Sequence, residues 1–220
     1  IYDAKYGHYN NQQLVELTGA KSVEVVGEIE DDYIVSVENF RNALTDKTKL
    51  VMFSSPANPS GSIYSEAQLR AFAKVLEEYP SVFVVSDEIY EYIHYSEKPF
   101  SIGSIESMKN RVITINGLSK GYAMTGYRLG YMAAPLAIAK ACSKIQGQFT
   151  SGASAVTQIA AIEAMKRGRN GLEYMVEAFE SRKKLLQDCL KPIDGFKMND
   201  PQGAFYLFIN IEHYKNAKYG

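Results

Sequence analysis

Cysteine and histidine are scarce in this chain, with two and three copies among 220 residues. Cys142 and Cys189 stand far apart, each inside a helix-like pattern, which argues against a disulfide framework and fits a reducing compartment. Both are expected to be small core residues. His8, His94 and His213 show no ligand spacing with one another or with the cysteines, so no metal is expected. Long apolar runs are missing as well. No stretch approaches the ~20 residues needed to span a bilayer, and residues 1–11 are polar and tyrosine-rich rather than signal-like, so a soluble, cytoplasmic chain is expected. An excess of one charge is also lacking: 24 basic and 25 acidic residues give a net charge of -1, which makes nucleic acid an unexpected partner. Internal repeats and low-complexity tracts are absent.

What is present is ordinary globular material, 46% hydrophobic and 22% charged, in a length that suits one domain or one domain and part of another. Short β-branched runs alternate with longer segments of helical period, the pattern of an α/β domain with a mostly parallel sheet. Strands are expected at residues 22–26, 49–54, 82–86, 111–116, 128–133 and 204–210. Ser65 with Gln68 forms a capping box before an apolar stripe of Leu69, Phe72, Ala73 and Leu76, and Pro80 closes that helix. Pro135 suits the first position of another helix, striped by Ile138, Ala141, Cys142 and Ile145. Two more helices are expected at residues 153–165 and 172–190, the latter carrying Met175, Phe179, Leu185, Leu186 and Cys189 as core residues. The linker-like point is residues 191–202.

The chemically informative residues follow the strands, and ligands of open α/β sheets bind at the carboxyl edge. Strand 49–54 runs into Ser55-Pro56-Ala57-Asn58-Pro59-Ser60-Gly61, strand 82–86 into Asp87-Glu88-Ile89-Tyr90, and strand 111–116 into Gly117-Leu118-Ser119-Lys120-Gly121. The connection from Lys120 to Arg128 is too short for a helical crossover, so the strand that Arg128 opens is expected to be antiparallel, with Arg128 at the same edge. An amide, a carboxylate, a phenol, a hydroxyl, an amine and a guanidinium then converge on one crevice. Glu88 is expected to be structural.

These motifs, together with Ala123-Met124-Thr125-Gly126-Tyr127-Arg128-Leu129-Gly130-Tyr131 and Pro201-Gln202-Gly203-Ala204-Phe205-Tyr206, resemble in order and spacing the class I/II aminotransferases of the aspartate aminotransferase type. The resemblance implies fold type I: a three-layer α/β sandwich whose central sheet is mostly parallel with one antiparallel strand. It implies pyridoxal 5'-phosphate as cofactor, an amino acid and a 2-oxo acid as substrates, and a homodimer. Residues 1–191 would be the central part of the large, cofactor-binding domain, and 192–220 the truncated start of the small C-terminal domain. Carried over residue by residue, Lys120 forms the Schiff base and moves protons. Asp87 faces the pyridine nitrogen, Asn58 and Tyr90 bond the phenolic oxygen, and Arg128 with Ser119 holds the phosphate. Aspartate is the first expectation for substrate, although alanine, aromatic and branched substrates share the motif.

Two departures from the family pattern stand out: Gly117 where many relatives carry a phosphate-contacting serine, and Ser60 for the commoner threonine. Residues for the upstream phosphate loop and the substrate-carboxylate arginine are not assigned. Two other readings stay open. Gly117-Leu118-Ser119-Lys120-Gly121 also satisfies the nucleophile elbow of serine hydrolases, with Asp194 or Asp200 and then His213 in the permitted order. Aminotransferase-like domains also serve as non-catalytic, cofactor-binding parts of regulators, although no basic helix-turn-helix segment is found.

Overall fold

A computed structural model describes residues 2–3 and 9–215, with residues 2, 3 and 9–11 described by backbone alone. His8 and the last five residues lie outside the described residues. The strands are β1 Tyr2–Asp3, β2 Glu24–Val25, β3 Leu50–Ser54, β4 Phe83–Asp87, β5 Val112–Gly117, β6 Gly130–Ala133, β7 Lys197–Met198 and β8 Ile209–Asn210. The helices are α1 Tyr9–Glu16, α2 Val37–Ala43, α3 Glu66–Glu77, α4 Leu136–Phe149, α5 Ala155–Arg167 and α6 Glu173–Leu190. One sheet runs in the order β2-β1-β3-β4-β5-β6, parallel throughout except for β6, which pairs antiparallel with β5. This is the expected α/β architecture with its single reversed strand.

Alternation along the central strands packs one sheet face against α2 and α3. Val51, Phe53 and Val84 point into a core shared with Phe40, Leu69, Phe72 and Leu76, and the rings of Phe40 and Phe72 stack at 4.4 Å. Each fully buried leucine contributes roughly 1.5–3 kcal/mol relative to exposure. The start of α3 is fixed as expected: the Ser65 hydroxyl accepts from the Gln68 amide while Gln68 Oε1 accepts from the Ser65 amide at 2.8 Å. Its last turn is capped from outside, because Arg111 Nη1 donates to the Leu76 and Tyr79 carbonyls, both at 2.9 Å.

Several expectations need correction. Of residues 204–210 only Ile209–Asn210 is strand, and it pairs with β7 in a separate two-stranded sheet. Ala204 adopts φ 55 and the segment spends its backbone bonds on loops instead. Strand β1 was not expected. Cys142 and Cys189 are exposed rather than core residues. The stripe on α4 is not buried either: no residue of that helix is buried, and Ile145 is 59% exposed. On α6, Leu185 and Leu186 are likewise exposed, whereas Met175 and Phe179 pack beside Tyr90, Ile93 and Ala204. An apolar helical period identifies a sticky face but not whether anything in the chain covers it. Pro135 is the residue before α4 rather than its first.

Candidate active site

Register places the candidate groups. Ser54, Asp87 and Ile115 are level across β3, β4 and β5, so Asp87 ends its strand at the carboxyl edge. Asn58 follows in the turn after β3 and Lys120 in the turn after β5. Gly130 lies opposite Gly117, so the antiparallel return brings Arg128 back to that edge. Arg128 sits just before β6 rather than in it, with φ 55, and its Nη1 donates to the Thr125 carbonyl at 3.0 Å. It is exposed, and so is the neighbouring 3-10 turn Thr125–Tyr127. Ser119 is half-buried, and its carbonyl accepts from the Thr125 hydroxyl at 2.8 Å.

Asp87 Oδ1 accepts from the Ile89 amide at 3.1 Å, which shapes the turn that sends Tyr90 inward. Tyr90 is only 3% exposed. Its hydroxyl meets that of Tyr206 at 2.5 Å, and Asn58 Nδ2 donates to the Tyr206 oxygen at 3.3 Å. Burial pushes the Tyr90 phenol far above its ordinary range; Tyr206 and the Asp87 charge push the same way, and Asn58 opposes them. The Lys120 amine stands 6.0 Å from the Tyr90 ring centroid and 5.6 Å from that of Phe205. Asn58, Asp87, Tyr90 and Lys120 are therefore neighbours around one crevice. Glu88 points elsewhere: buried, it accepts from Ser86 at 2.9 Å and Ser101 at 2.6 Å, and burial raises its pKa.

Tyr206 and Phe205 were not expected in the crevice. They arrive on a strap, residues 199–206, whose Gln202 and Gly203 amides both donate to the Gly61 carbonyl at 2.9 Å and whose Ala204 amide donates to Ile93 at 2.9 Å. Asn199 Nδ2 adds a bond to the Ser60 carbonyl at 3.0 Å. Gly61 has φ 70, and a Cβ there would stand 2.5 Å from that of Pro201. The signal in the sequence was the motif Pro201-Gln202-Gly203-Ala204-Phe205-Tyr206, but nothing local tells where it docks. Gly117 also has a structural reason, since a Cβ would meet the Leu129 carbonyl at 2.9 Å and Ile89 Cδ1 at 3.1 Å.

The serine-hydrolase geometry is not formed. A nucleophile elbow enters a helix at once, whereas Ser119 is followed by turns and the 3-10 turn Thr125–Tyr127. Asp200 is held by Lys183 and Gln187, each at 3.0 Å, and the ring of His213 lies against Gly195 and Tyr214. Among the described residues, no group of three or more His, Cys, Asp or Glu could hold a metal ion, and no helix is long and apolar enough to cross a membrane.

A mostly parallel α/β sheet with an amine, an acid, an amide and phenols gathered at its carboxyl edge has them where open α/β sheets carry their ligand sites. The chain belongs to the aminotransferase class I and II family, whose model matches residues 1–219. It is 40% identical over 206 residues to the bifunctional aspartate aminotransferase and glutamate/aspartate-prephenate aminotransferase of Petunia hybrida, covering 92% of this chain and 43% of that one. It is 41% identical over 199 residues to an aspartate aminotransferase of Bacillus sp. (strain YM-2), covering 90% and 50%. The crystal structure of the aspartate aminotransferase from Rhizobium meliloti superimposes with a TM-score of 0.91 at 33% identity, covering 96% of this chain and 53% of that one. The chain thus spans about half the length of these relatives.

Proposed function

We propose that the protein carrying this chain is a pyridoxal-phosphate-dependent aminotransferase, moving an amino group between an aspartate-like amino acid and a 2-oxo acid. One observation carries the proposal: the Lys120 amine lies within 6.0 Å of the Tyr90 ring, in the crevice that Asn58 and Asp87 also border. An aromatic ring bearing an aldehyde, a phenolic oxygen and a basic nitrogen needs an amine, donors and an acid spaced about its edge, and this donor set fits such a ring. When bound, pyridoxal phosphate supplies an electron sink for the substrate α-carbon.

The chain's own groups have the following work. Lys120 would attach the aldehyde and, once displaced by a substrate amine, hold or release a proton at Nζ. Asp87, with a carboxylate at the strand end, would keep a proton on the ring nitrogen. Asn58 Nδ2 and the Tyr90 hydroxyl would donate to the phenolic oxygen; the high Tyr90 pKa keeps that hydroxyl protonated and able to donate. Arg128 would grip the phosphate with Ser119 beside it, the Thr125 contact using only one of several guanidinium N–H donors. Phe205 forms an apolar wall near the amine. Aspartate is favoured as substrate by the names of the relatives. A cytoplasmic homodimer, with residues 1–191 in a large domain and 192–220 opening a small one, completes the proposal.

The test is borohydride reduction with pyridoxal phosphate, followed by peptide mapping and visible spectroscopy of wild type and Lys120→Ala. The expected result is label on Lys120 and loss of the cofactor-dependent visible band in the variant. Label confined to another lysine, or a band that survives Lys120→Ala, overturns the assignment.

A further inference from the structure

The contact between Tyr90 and Tyr206 has a direction that the ligand would set. Asn58 Nδ2 can only donate, so the Tyr206 oxygen is an acceptor at 3.3 Å. The two phenols share one hydrogen at 2.5 Å, and either could supply it in the ligand-free crevice. An anionic oxygen placed before Tyr90 has no hydrogen to offer, so Tyr90 must then donate to it. The 2.5 Å contact persists only if Tyr206 becomes the donor.

We propose that Tyr206 is a positioning residue for Tyr90, completing a one-way chain of hydrogen bonds from Asn58 through Tyr206 to Tyr90 and on to the ligand oxygen. The inference rests on the function proposed above and names a residue of the site that the family motifs around Lys120 do not include. Each link polarises the next, so Tyr90 donates more strongly with Tyr206 behind it than alone. The strap makes the placement firm: Tyr206 follows Ala204, whose amide is bonded to Ile93, three residues beyond Tyr90. The ionisable groups facing the Tyr90 phenol are Asp87 at the end of β4, Lys120 from the turn after β5, and Tyr206 itself.

Removing the Tyr206 hydroxyl should weaken the Tyr90 bond to the ring oxygen and so disfavour the ionised oxygen. In the full-length protein loaded with pyridoxal phosphate, Tyr206→Phe is expected to move the pH midpoint of the visible band upward and to weaken cofactor binding by less than the roughly fivefold that loss of one whole net hydrogen bond would cause. Tyr90→Phe should do the same or more, and Tyr90→Phe with Tyr206→Phe together should match Tyr90→Phe alone, because Tyr206 acts through Tyr90. Additive effects, or an unchanged midpoint in Tyr206→Phe, overturn the proposal. A second measurement needs no cofactor. With 13Cζ-labelled tyrosine, the Tyr90 resonance, assigned by its loss in Tyr90→Phe, should shift in Tyr206→Phe, because the two hydroxyls are in contact. An unmoved resonance overturns the contact itself. A shifted resonance in a protein that shows no cofactor band would instead sink the proposed function and leave the contact standing.

Discussion

His94 is buried yet lies against cations rather than acids. Arg169 Nη1 meets its Nε2 at 2.6 Å, and the Ser96 carbonyl lies 3.1 Å from Nδ1. Arginine can only donate, so this geometry needs a neutral ring with its proton on Nδ1. Burial lowers the His94 pKa most, Arg169 and Lys98 lower it further, and the Ser96 bond opposes them. A depressed histidine pKa means that the unfolded chain binds the extra proton more readily. The contribution to stability is therefore present above about pH 6.5 and is lost as pH falls through that value toward the lowered one. Urea midpoints measured from pH 7.5 to 5 should fall more steeply in wild type than in His94→Gln; parallel curves would contradict the assignment. At this scale the sequence was legible where a residue sits within a few positions of a strand end, as Asn58, Asp87, Tyr90 and Lys120 do. The Asn58–Tyr206 bond spans 148 positions, and no local pattern carries that distance.

At the scale of elements, side chains that satisfy their own backbone announce themselves best. Helix α3 begins where the Ser65–Gln68 box places it. Replacing Ser65 by alanine removes an acceptor from the first turn and should cost about 1 kcal/mol, read as a lower chemical-denaturation midpoint with an unchanged m-value. The far end of that helix was less legible, because the Leu76 and Tyr79 carbonyls are met by Arg111 on the approach to β5. The reversed direction of β6 was readable from a connection too short for a crossover. The strand expected over residues 204–210 was not, because the apolar run there turns at Ala204, with φ 55, and sets Phe205 and Tyr206 beside Tyr90 instead of pairing in the sheet.

For the molecule as a whole, the sheet and the gathered edge were legible because parallel α/β topology leaves few alternatives. Coverage of the outer helices was not: Leu136 on α4, Val156 on α5 and Tyr174 on α6 are 69%, 73% and 74% exposed. Every site group proposed above would face the cofactor, and none is proposed for the substrate's carboxylates. With about half of a relative's length present, these 220 residues alone are expected to transaminate poorly. Assay with aspartate and 2-oxoglutarate checks this, and vigorous turnover would show that the groups named here suffice.

The double acceptance at the Gly61 carbonyl ties the Asn58 turn to the strap that carries Phe205 and Tyr206. Shortening the polypeptide to end at Leu190 would spare every strand of the main sheet and strip away one side of the crevice. The Lys120 amine would then meet bulk solvent, and any aldehyde captured there could exchange away as freely as from lysine in solution.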